Sequence, residues 1–324
     1  MHQLDIVKIS QNIRNLKDEA KKNVKKGFSF VNSLQESDVK IVLPKYLFEN
    51  EYDLRADMHY CNGFIIDLKG DLVVVDPSTD FYSRLISSGY SALQIKAIIV
   101  THEHLDHIDG LNILLDKIIR NGDLNVELYL PNSAYNGRIP EYYKEKIASN
   151  DKIKTTLLDA NKGQLQSSIL LDKYKIEFLE MFHGCPDTFG FKIKFPDFDL
   201  GHITDTGYAI TVQTDLGVFP VKEVVGNFTQ IIQKQYYIKD FYSSVDYAVV
   251  NINDIAYNRH SKYHLSAYDL QDIFEGSKLK KLILQHLLPI NIEEEDSNYL
   301  YKLFFYDQKY QTIIPHYLKK TILL

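Results

Sequence analysis

The stretch IIVTHEHLDHIDG, Ile98 to Gly110, crowds three histidines and two aspartates directly behind an apolar run. Ala97 to Val100 reads as a buried strand, so at Thr101 the chain has just left a sheet edge. His102 and His104 stand two residues apart and project to one side of an extended segment. Asp106 and His107 fall on the turn into the next helix, where they can face a second point in space. Imidazole and carboxylate are donors that divalent metal ions take from proteins. One short loop therefore offers two donors to each of two ions, and the remaining donors must come from elsewhere.

Three later positions share one local context, a polar residue closing a strand before a turn. His183 closes IEFLEMFHG, Asp205 closes LGHITDTG and His286 closes KLILQHLLP. One such residue means little, whereas three on successive strand ends complete a ligand set.

The ordered pattern H-x-H-x-D-H, then His, Asp and His, resembles the metallo-β-lactamase superfamily. The match is His102, His104, Asp106, His107, His183, Asp205 and His286, across residues from about 40 to 290. Gly110-Leu111 fits the small and apolar pair that follows the motif in that family. GFIIDLKGDLVVVDPS is similar to its opening hairpin, with Asp76 beneath the metals. The resemblance implies an α/β fold, a four-layer αβ/βα sandwich with a dinuclear site at the edges of its two sheets. It also implies two Zn²⁺ ions as cofactors, with Mn²⁺ as the alternative. Oxygen-reducing diiron relatives carry Glu where this chain has His104, and an imidazole there favours zinc. Most β-lactamases of the family carry Cys at the Asp205 position, so penicillin-type hydrolysis is disfavoured.

Composition bounds the rest. The 324 residues are 45% hydrophobic, ample for one large domain or two ordinary ones. A net charge of −6 does not suit wrapping long nucleic acid by phosphate neutralisation. Two cysteines, Cys61 and Cys185, make no disulfide framework and point to a reducing compartment. The first residues lack a signal-peptide pattern, and no apolar run approaches the ~20 residues needed to cross a bilayer. The expectation is a cytoplasmic protein without membrane contact.

Ile9, Ile13, Leu16, Ala20 and Val24 predict a helix within 4–26, its lysines on a solvated face. A helical extension over 1–36 is expected ahead of a metallo-β-lactamase-fold domain over 37–324. Strand-like runs follow from Lys40, with a hairpin turn at Lys69-Gly70-Asp71. DGLNILLDKIIRNG, PEYYKEKIASN and SAYDLQDIFEG read as helices. This order suggests two sheets packed together with helices outside. His2, His59, His202, His260 and His316 read as surface or structural.

RHSKYHLSAYDLQDIFEG narrows the chemistry. Ser266 and Asp269 have capping-box spacing at a helix start, and His264 lies 22 positions before His286. His264-Leu265-Ser266 resembles the His-Ser-Thr element of tRNA 3′-processing endonucleases and related cyclic phosphodiesterases. There the His points at the metals and contacts the scissile phosphate. Leu265 and Ser266 depart slightly from that element, and His260 is a competitor without cap or spacing. By this resemblance Asp106 and His264 are catalytic, and Ser266 binds substrate. Phosphodiester hydrolysis needs a nucleophile, charge neutralisation and help for the leaving alkoxide. Two metal ions serve the first two needs by sharing a hydroxide and binding phosphoryl oxygens. A positioned His serves the third, typically for ~10²–10⁴-fold.

The substrate expected is a nucleotide or short single-stranded nucleic acid. The tRNA enzymes commonly insert a long gripping arm between the third His and the Asp. Here His183 and Asp205 are only 22 positions apart, room for a hairpin alone. The interval from Asp205 to His264 is long instead. Residues 208–245 are expected as an inserted aromatic segment carrying Tyr208, Phe219, Phe228, Tyr236, Tyr237, Phe241 and Tyr242. It suits base stacking, core packing or a homodimer interface, and a homodimer is expected. Two other readings stand beside the phosphodiesterase. One is a thioester or lactone hydrolase indifferent to His264, and the other is a metal-stabilised nucleotide-binding protein.

Overall fold

A computed structural model describes residues 28–33, 39–45, 62–121, 124–212, 222–225, 228–252, 263–286, 310–315 and 321–323. The helix expected within 4–26, Cys61, and His2, His59, His260 and His316 lie outside these residues.

Strands β1 (Phe28–Ser33), β2 (Val39–Lys45), β3 (Phe64–Leu68), β4 (Asp71–Val75), β5 (Ile95–Ile99), β6 (Val126–Pro131) and β7 (Ile153–Leu158) form the first sheet in chain order. β1 to β4 run antiparallel, and β4 to β7 run parallel. Lys69 and Gly70 turn the β3–β4 hairpin with φ of 60° and 98°, the left-handed geometry two-residue hairpins favour. Helices α1 (Phe81–Ser87), α2 (Leu105–Ile108), α3 (Leu111–Asn121), α4 (Asn132–Arg138) and α5 (Glu141–Ala148) connect the parallel strands.

β8 (Leu165–Leu170), β9 (Tyr174–Glu180), β10 (Phe189–Lys194) and β11 (Asp199–Ile203) form one antiparallel half of the second sheet. β12 (Ala209–Val212), β13 (Lys222–Val225) and β14 (Phe228–Lys234) make a separate three-stranded sheet in the order β12-β14-β13. After α6 (Tyr236–Tyr242) the chain returns to the second sheet with β15 (Tyr247–Asn251), parallel to β11. Helix α7 (Ala267–Ile273) leads to β16 (Lys281–Gln285), and β17 (Gln311–Pro315) and β18 (Thr321–Leu323) finish that edge.

Period-two alternation assembles the layers, because successive strand side chains point to opposite faces. Val73, Val75, Ala97 and Ile99 meet Phe189, Phe191, Val249 and Ile283 between the two large sheets. Their neighbours Val74, Ile98 and Val100 turn outward onto Leu85 of α1 and Leu114, Leu115 and Ile118 of α3. On the opposite outer face, Ala248, Val250 and Leu284 pack against Tyr242 of α6 and Leu270 and Ile273 of α7. At about 1.5–3 kcal/mol for each large aliphatic side chain removed from water, these three clusters dominate the stabilisation. The result is the expected four-layer αβ/βα sandwich.

Two expectations about boundaries change. β1 lies inside the stretch expected as a separate extension, yet it pairs residue for residue with β2 from Phe28↔Lys45 to Ser33↔Lys40. Pairing within the first sheet therefore reaches back to Phe28, inside the stretch expected as an extension. The 208–245 segment is not wholly an insertion either. Tyr208 and Tyr242 are fully buried, and the Tyr242 hydroxyl donates to the His202 carbonyl at 2.7 Å. α6 is thus part of the helical layer, and the addition reduces to the small sheet.

Gly110 shows why a glycine follows the His-rich loop. Its N–H donates to the Pro77 carbonyl at 2.9 Å, and a Cβ there would strike the Ser78 carbonyl oxygen. Only glycine lets the start of α3 lie directly on the turn that follows β4.

Candidate metal centre

β4, β5, β9, β11 and β16 all point toward one rim, and each delivers a polar residue just past its end. Asp76 follows β4, His102 and His104 follow β5, His183 follows β9, Asp205 follows β11, and His286 follows β16. α2 begins at Leu105 and carries Asp106 and His107 on its single turn. All seven expected ligands converge there. Asp76 and His286 hold left-handed backbone, φ 48° and 64°, a strained conformation of the kind that concentrates at functional sites.

A hydrogen-bond network fixes how the imidazoles present themselves. The Thr101 hydroxyl donates to Asp76 Oδ2 at 2.7 Å, so its lone pairs accept from the Thr204 hydroxyl at 2.8 Å and His102 Nδ1–H at 3.0 Å. His107 Nδ1–H donates to the same Asp76 oxygen at 2.9 Å, and His183 Nδ1–H donates to the Tyr263 carbonyl at 3.0 Å. A neutral imidazole holding its proton on Nδ1 has a bare lone pair on Nε2. Three histidines are thereby set to coordinate through Nε2. His102 Nε2 and His107 Nε2 are fully buried and have no hydrogen-bond partner. Buried polar atoms are normally satisfied, so these orphans mark positions that a cation would fill.

The donor spacings fit tetrahedral ions. Donors at about 2.0–2.1 Å from one tetrahedral ion lie roughly 3.3 Å apart. His286 Nε2 stands 3.1 Å from Asp106 Oδ2 and 3.2 Å from Asp205 Oδ2, and His107 Nε2 stands 3.5 and 3.4 Å from the same two oxygens. These four atoms frame one position. His104 Nδ1 and His183 Nε2, 3.2 Å apart, frame the other together with His102. Asp205 Oδ2 reaches toward this half too, 3.9 Å from His102 Nε2 and 4.0 Å from His183 Nε2. Its partner oxygen Oδ1 is pinned by Asn251 Nδ2 at 3.0 Å, and Gln285 Nε2 holds Asn251 at 2.6 Å. One aspartate oxygen is therefore free to bridge.

Electrostatics agree with this division. Burial, helped by the neighbouring His107 charge, keeps His102 well below the usual histidine range, and burial pushes His183 down to about 4. At His107 burial opposes protonation, but Asp205, Asp106 and Asp76 outweigh it and raise the group well above that range. His286, against the same burial cost, is raised to about 9 by Asp205 and Asp106. Burial would also raise the Asp205 and Asp106 carboxyls, yet His286 and His107 hold both low. A carboxylate-rich pocket that draws protons onto its imidazoles draws divalent cations to the same atoms, and affinity climbs with pH as those protons leave.

His264 stands at the mouth between the two halves. Its Nδ1 is 3.8 Å from Asp205 Oδ2, its ring stacks on His286 at 5.8 Å, and it meets His183 edge-on at 5.4 Å. Burial lowers its pKa. The Ser266–Asp269 capping box forms as expected and starts α7 at the next residue, Ala267. Ser266 itself is fully buried, with its hydroxyl 2.8 Å from Asp269 Oδ2. A substrate cannot touch it, so the substrate-binding expectation gives way to a positioning role beneath His264. His202 is structural as expected, buried with Nδ1 2.9 Å from the Val249 carbonyl.

Several contributors were not read from the sequence. Asn62 donates to Asp106 Oδ2 at 2.9 Å, and its carbonyl is gripped by Ser78 and by the buried Arg84. Thr101, Thr204, Asn251 and Gln285 buttress the ligands, and Cys185 reaches the His102–His104–His183 half. For Thr101, Thr204, Asn251 and Gln285 the available signal was position, since each sits at or just past the end of an apolar strand.

Comparison with known proteins agrees. Residues 56–164 match the Metallo-beta-lactamase superfamily family. The chain is 31% identical over 163 residues to ribonuclease J of Mycoplasma genitalium, half of this chain and a quarter of that protein. It is 25% identical over 138 residues to ribonuclease Z of Thermobifida fusca, 42% of each chain. The chain thus spans less than half the length of either curated relative. Among solved structures, the metallo-β-lactamase fold protein YhfI from Bacillus subtilis superposes with a TM-score of 0.57 at 16% identity, over 81% of this chain and 90% of that one. With the fold, the ordered donors and these matches together, the chain carries a metallo-β-lactamase superfamily domain.

Proposed function

We propose that this protein is a dinuclear zinc-dependent phosphodiesterase, with Mn²⁺ as an alternative ion, acting on a nucleotide or short single-stranded nucleic acid. The observation that carries the reading is His264, an imidazole held at the mouth of both metal positions without belonging to the seven-residue ligand set. Similarity to proteins named ribonuclease J and ribonuclease Z supports the phosphodiester class. The donor set of five imidazoles and two carboxylates suits zinc.

When bound, the two ions would neutralise phosphoryl charge and make water nucleophilic near pH 7. The protein's own residues do the rest. Asp205 would serve both positions through Oδ2, which lies within reach of the imidazoles on either side. Asp106 closes one position, and the Asn62 amide keeps its carboxylate oriented. His264 supplies a proton or hydrogen bond to the oxygen leaving phosphorus. The interval between His183 and Asp205 holds only the β10–β11 hairpin, so no gripping arm rises there, which favours a small or single-stranded substrate. Among the described residues no helix is long and apolar enough to cross a membrane.

Metal-loaded protein should hydrolyse bis(p-nitrophenyl) phosphate. On a nucleotide phosphodiester, whose alkoxide leaves poorly, His264→Ala should lower kcat by ~10²–10⁴-fold, the usual worth of a general acid, with metal content unchanged. A variant as fast as the parent would remove the main support for this assignment. A panel of linear and cyclic nucleotides, single-stranded DNA and RNA, and thioesters then identifies the substrate class.

A further inference from the structure

The two halves of the centre are not equally furnished. Around His107 and His286, Asp106 and Asp205 complete four close donors. Around His102, His104 and His183 there are three imidazoles, and the shared Asp205 oxygen lies 3.9 and 4.0 Å away from His102 and His183, drawn toward the other side. Three imidazoles leave the fourth position of a tetrahedral ion open to water or to one more donor. His102 Nε2 is fully buried and without a hydrogen-bond partner.

Cys185 stands at that gap, two residues past His183. Its Sγ and one nitrogen each of His102, His104 and His183 all lie within 4.8 Å of one another. The thiol is half-buried, 3.3 Å from the Thr188 hydroxyl. The surrounding loop is tied down: Asp187 accepts from Ser133 N–H at 3.0 Å and Ala160 N–H at 2.9 Å, and the Thr188 hydroxyl donates to the Cys185 carbonyl at 3.2 Å. The sulfur's place is therefore set by ordered backbone and not by a swinging side chain.

We propose that Cys185 is a metal ligand, completing a Cys-His₃ set that holds one ion in this half without needing Asp205. Coordination deprotonates a thiol outright, so Cys185 gives its proton to solvent as the metal–sulfur bond forms. The centre then has one soft half, suited to Zn²⁺ or Cd²⁺, and one harder half of two imidazoles and two carboxylates that also accepts Mn²⁺. The soft half would then hold its ion more tightly than the harder half. This rests on the metal centre proposed above.

Cobalt(II) loading of the full chain tests it. Tetrahedral cobalt gives visible absorption whatever its donors, whereas a cobalt–thiolate bond adds an intense charge-transfer absorption in the near ultraviolet. The parent and Cys61→Ser should show both, with the near-ultraviolet signal saturating at one cobalt per chain. Cys185→Ser and Cys185→Ala should keep the visible bands and lose the near-ultraviolet one, with circular dichroism confirming that both fold. Visible bands without the thiolate signal in the parent, or a thiolate signal surviving in Cys185→Ser, would overturn the proposal. Absence of visible bands in every sample would instead overturn the metal centre itself, and this inference with it.

Discussion

Asp76→Asn separates the work of the ligands from that of the frame beneath them. Asp76 touches no metal position, yet its carboxylate accepts the Thr101 N–H at 2.7 Å, the Thr101 hydroxyl at 2.7 Å and His107 Nδ1–H at 2.9 Å. Asparagine has nearly the same shape and tolerates left-handed backbone, so the φ of 48° is not a confounding strain. Its amide oxygen can keep the Thr101 N–H, which leaves an NH₂ group facing the Thr101 hydroxyl and His107. The hydroxyl can turn and accept only by giving up one of the bonds it takes from Thr204 and His102. His107 cannot keep its Nδ1 proton against another donor, so it moves that proton to Nε2, onto the lone pair a metal needs. One charge-assisted hydrogen bond is lost, about 1.5–3 kcal/mol of folding stability measured in the presence of chelator. Metal affinity at the His107 position should fall about 10–100-fold, the usual cost of removing a ligand's supporting partner. That loss is about 1.4–2.8 kcal/mol. Competition against a chromophoric chelator reads the affinity, and denaturant melts of the metal-free protein read the stability. An Asp76→Asn protein that binds zinc as tightly as the parent would show that Asp76 does not set the His107 tautomer.

Other perturbations probe the rest of the frame. Ser266→Ala removes the cap that starts α7 and should cost about 0.5–2 kcal/mol in urea unfolding. It should also lower kcat at unchanged metal content, because His264 loses its anchor. Gly110→Ala drives a methyl against the Ser78 and Pro77 carbonyl oxygens, and thermal melts should show about 1–3 kcal/mol of destabilisation. Asp272 provides a pH test: burial would raise its carboxyl, but the Lys234 and Lys239 ammoniums at 2.5 and 3.1 Å hold it below the usual carboxylate range. Its folded pKa is thus the lower one, so its stabilisation is present above the ordinary carboxylate range and is lost as pH falls below it. Asp272→Asn should flatten that acid limb of the stability profile. Finally, zinc held at 100 times its Kd should add about 2.7 kcal/mol to unfolding free energy, and EDTA should remove it.

How far the sequence alone reaches depends on the distance over which a contact forms. The sandwich was legible because strand alternation and helical period are local signals, as in LVVV of β4 and the stripe of α3. The ligands were legible because four sit within six residues and the other three each close an apolar strand. What escaped is long-range. Nothing near Thr101 announces that its hydroxyl meets Thr204, 103 positions away, or that it donates to Asp76. Asn251 and Gln285 are single polar residues in apolar strands, and only parallel pairing of β15 with β16 makes them a relay onto Asp205. β1 was missed because its pairing with β2 crosses the boundary that a change of texture suggested. Ser266 was misjudged for the opposite reason, since its local signal was strong and correctly gave the cap. A hydroxyl spent on a buried cap has no hydrogen left for substrate, and accounting for that hydrogen turns a motif resemblance into a statement about contact. The same accounting, applied to His102 and His107, finds two fully buried Nε2 atoms without a hydrogen-bond partner. His102 Nε2 ties the fold to metal chemistry most directly, because burial keeps that imidazole neutral and a lone pair buried there without a cation costs the desolvation of an unsatisfied acceptor, about 1–3 kcal/mol.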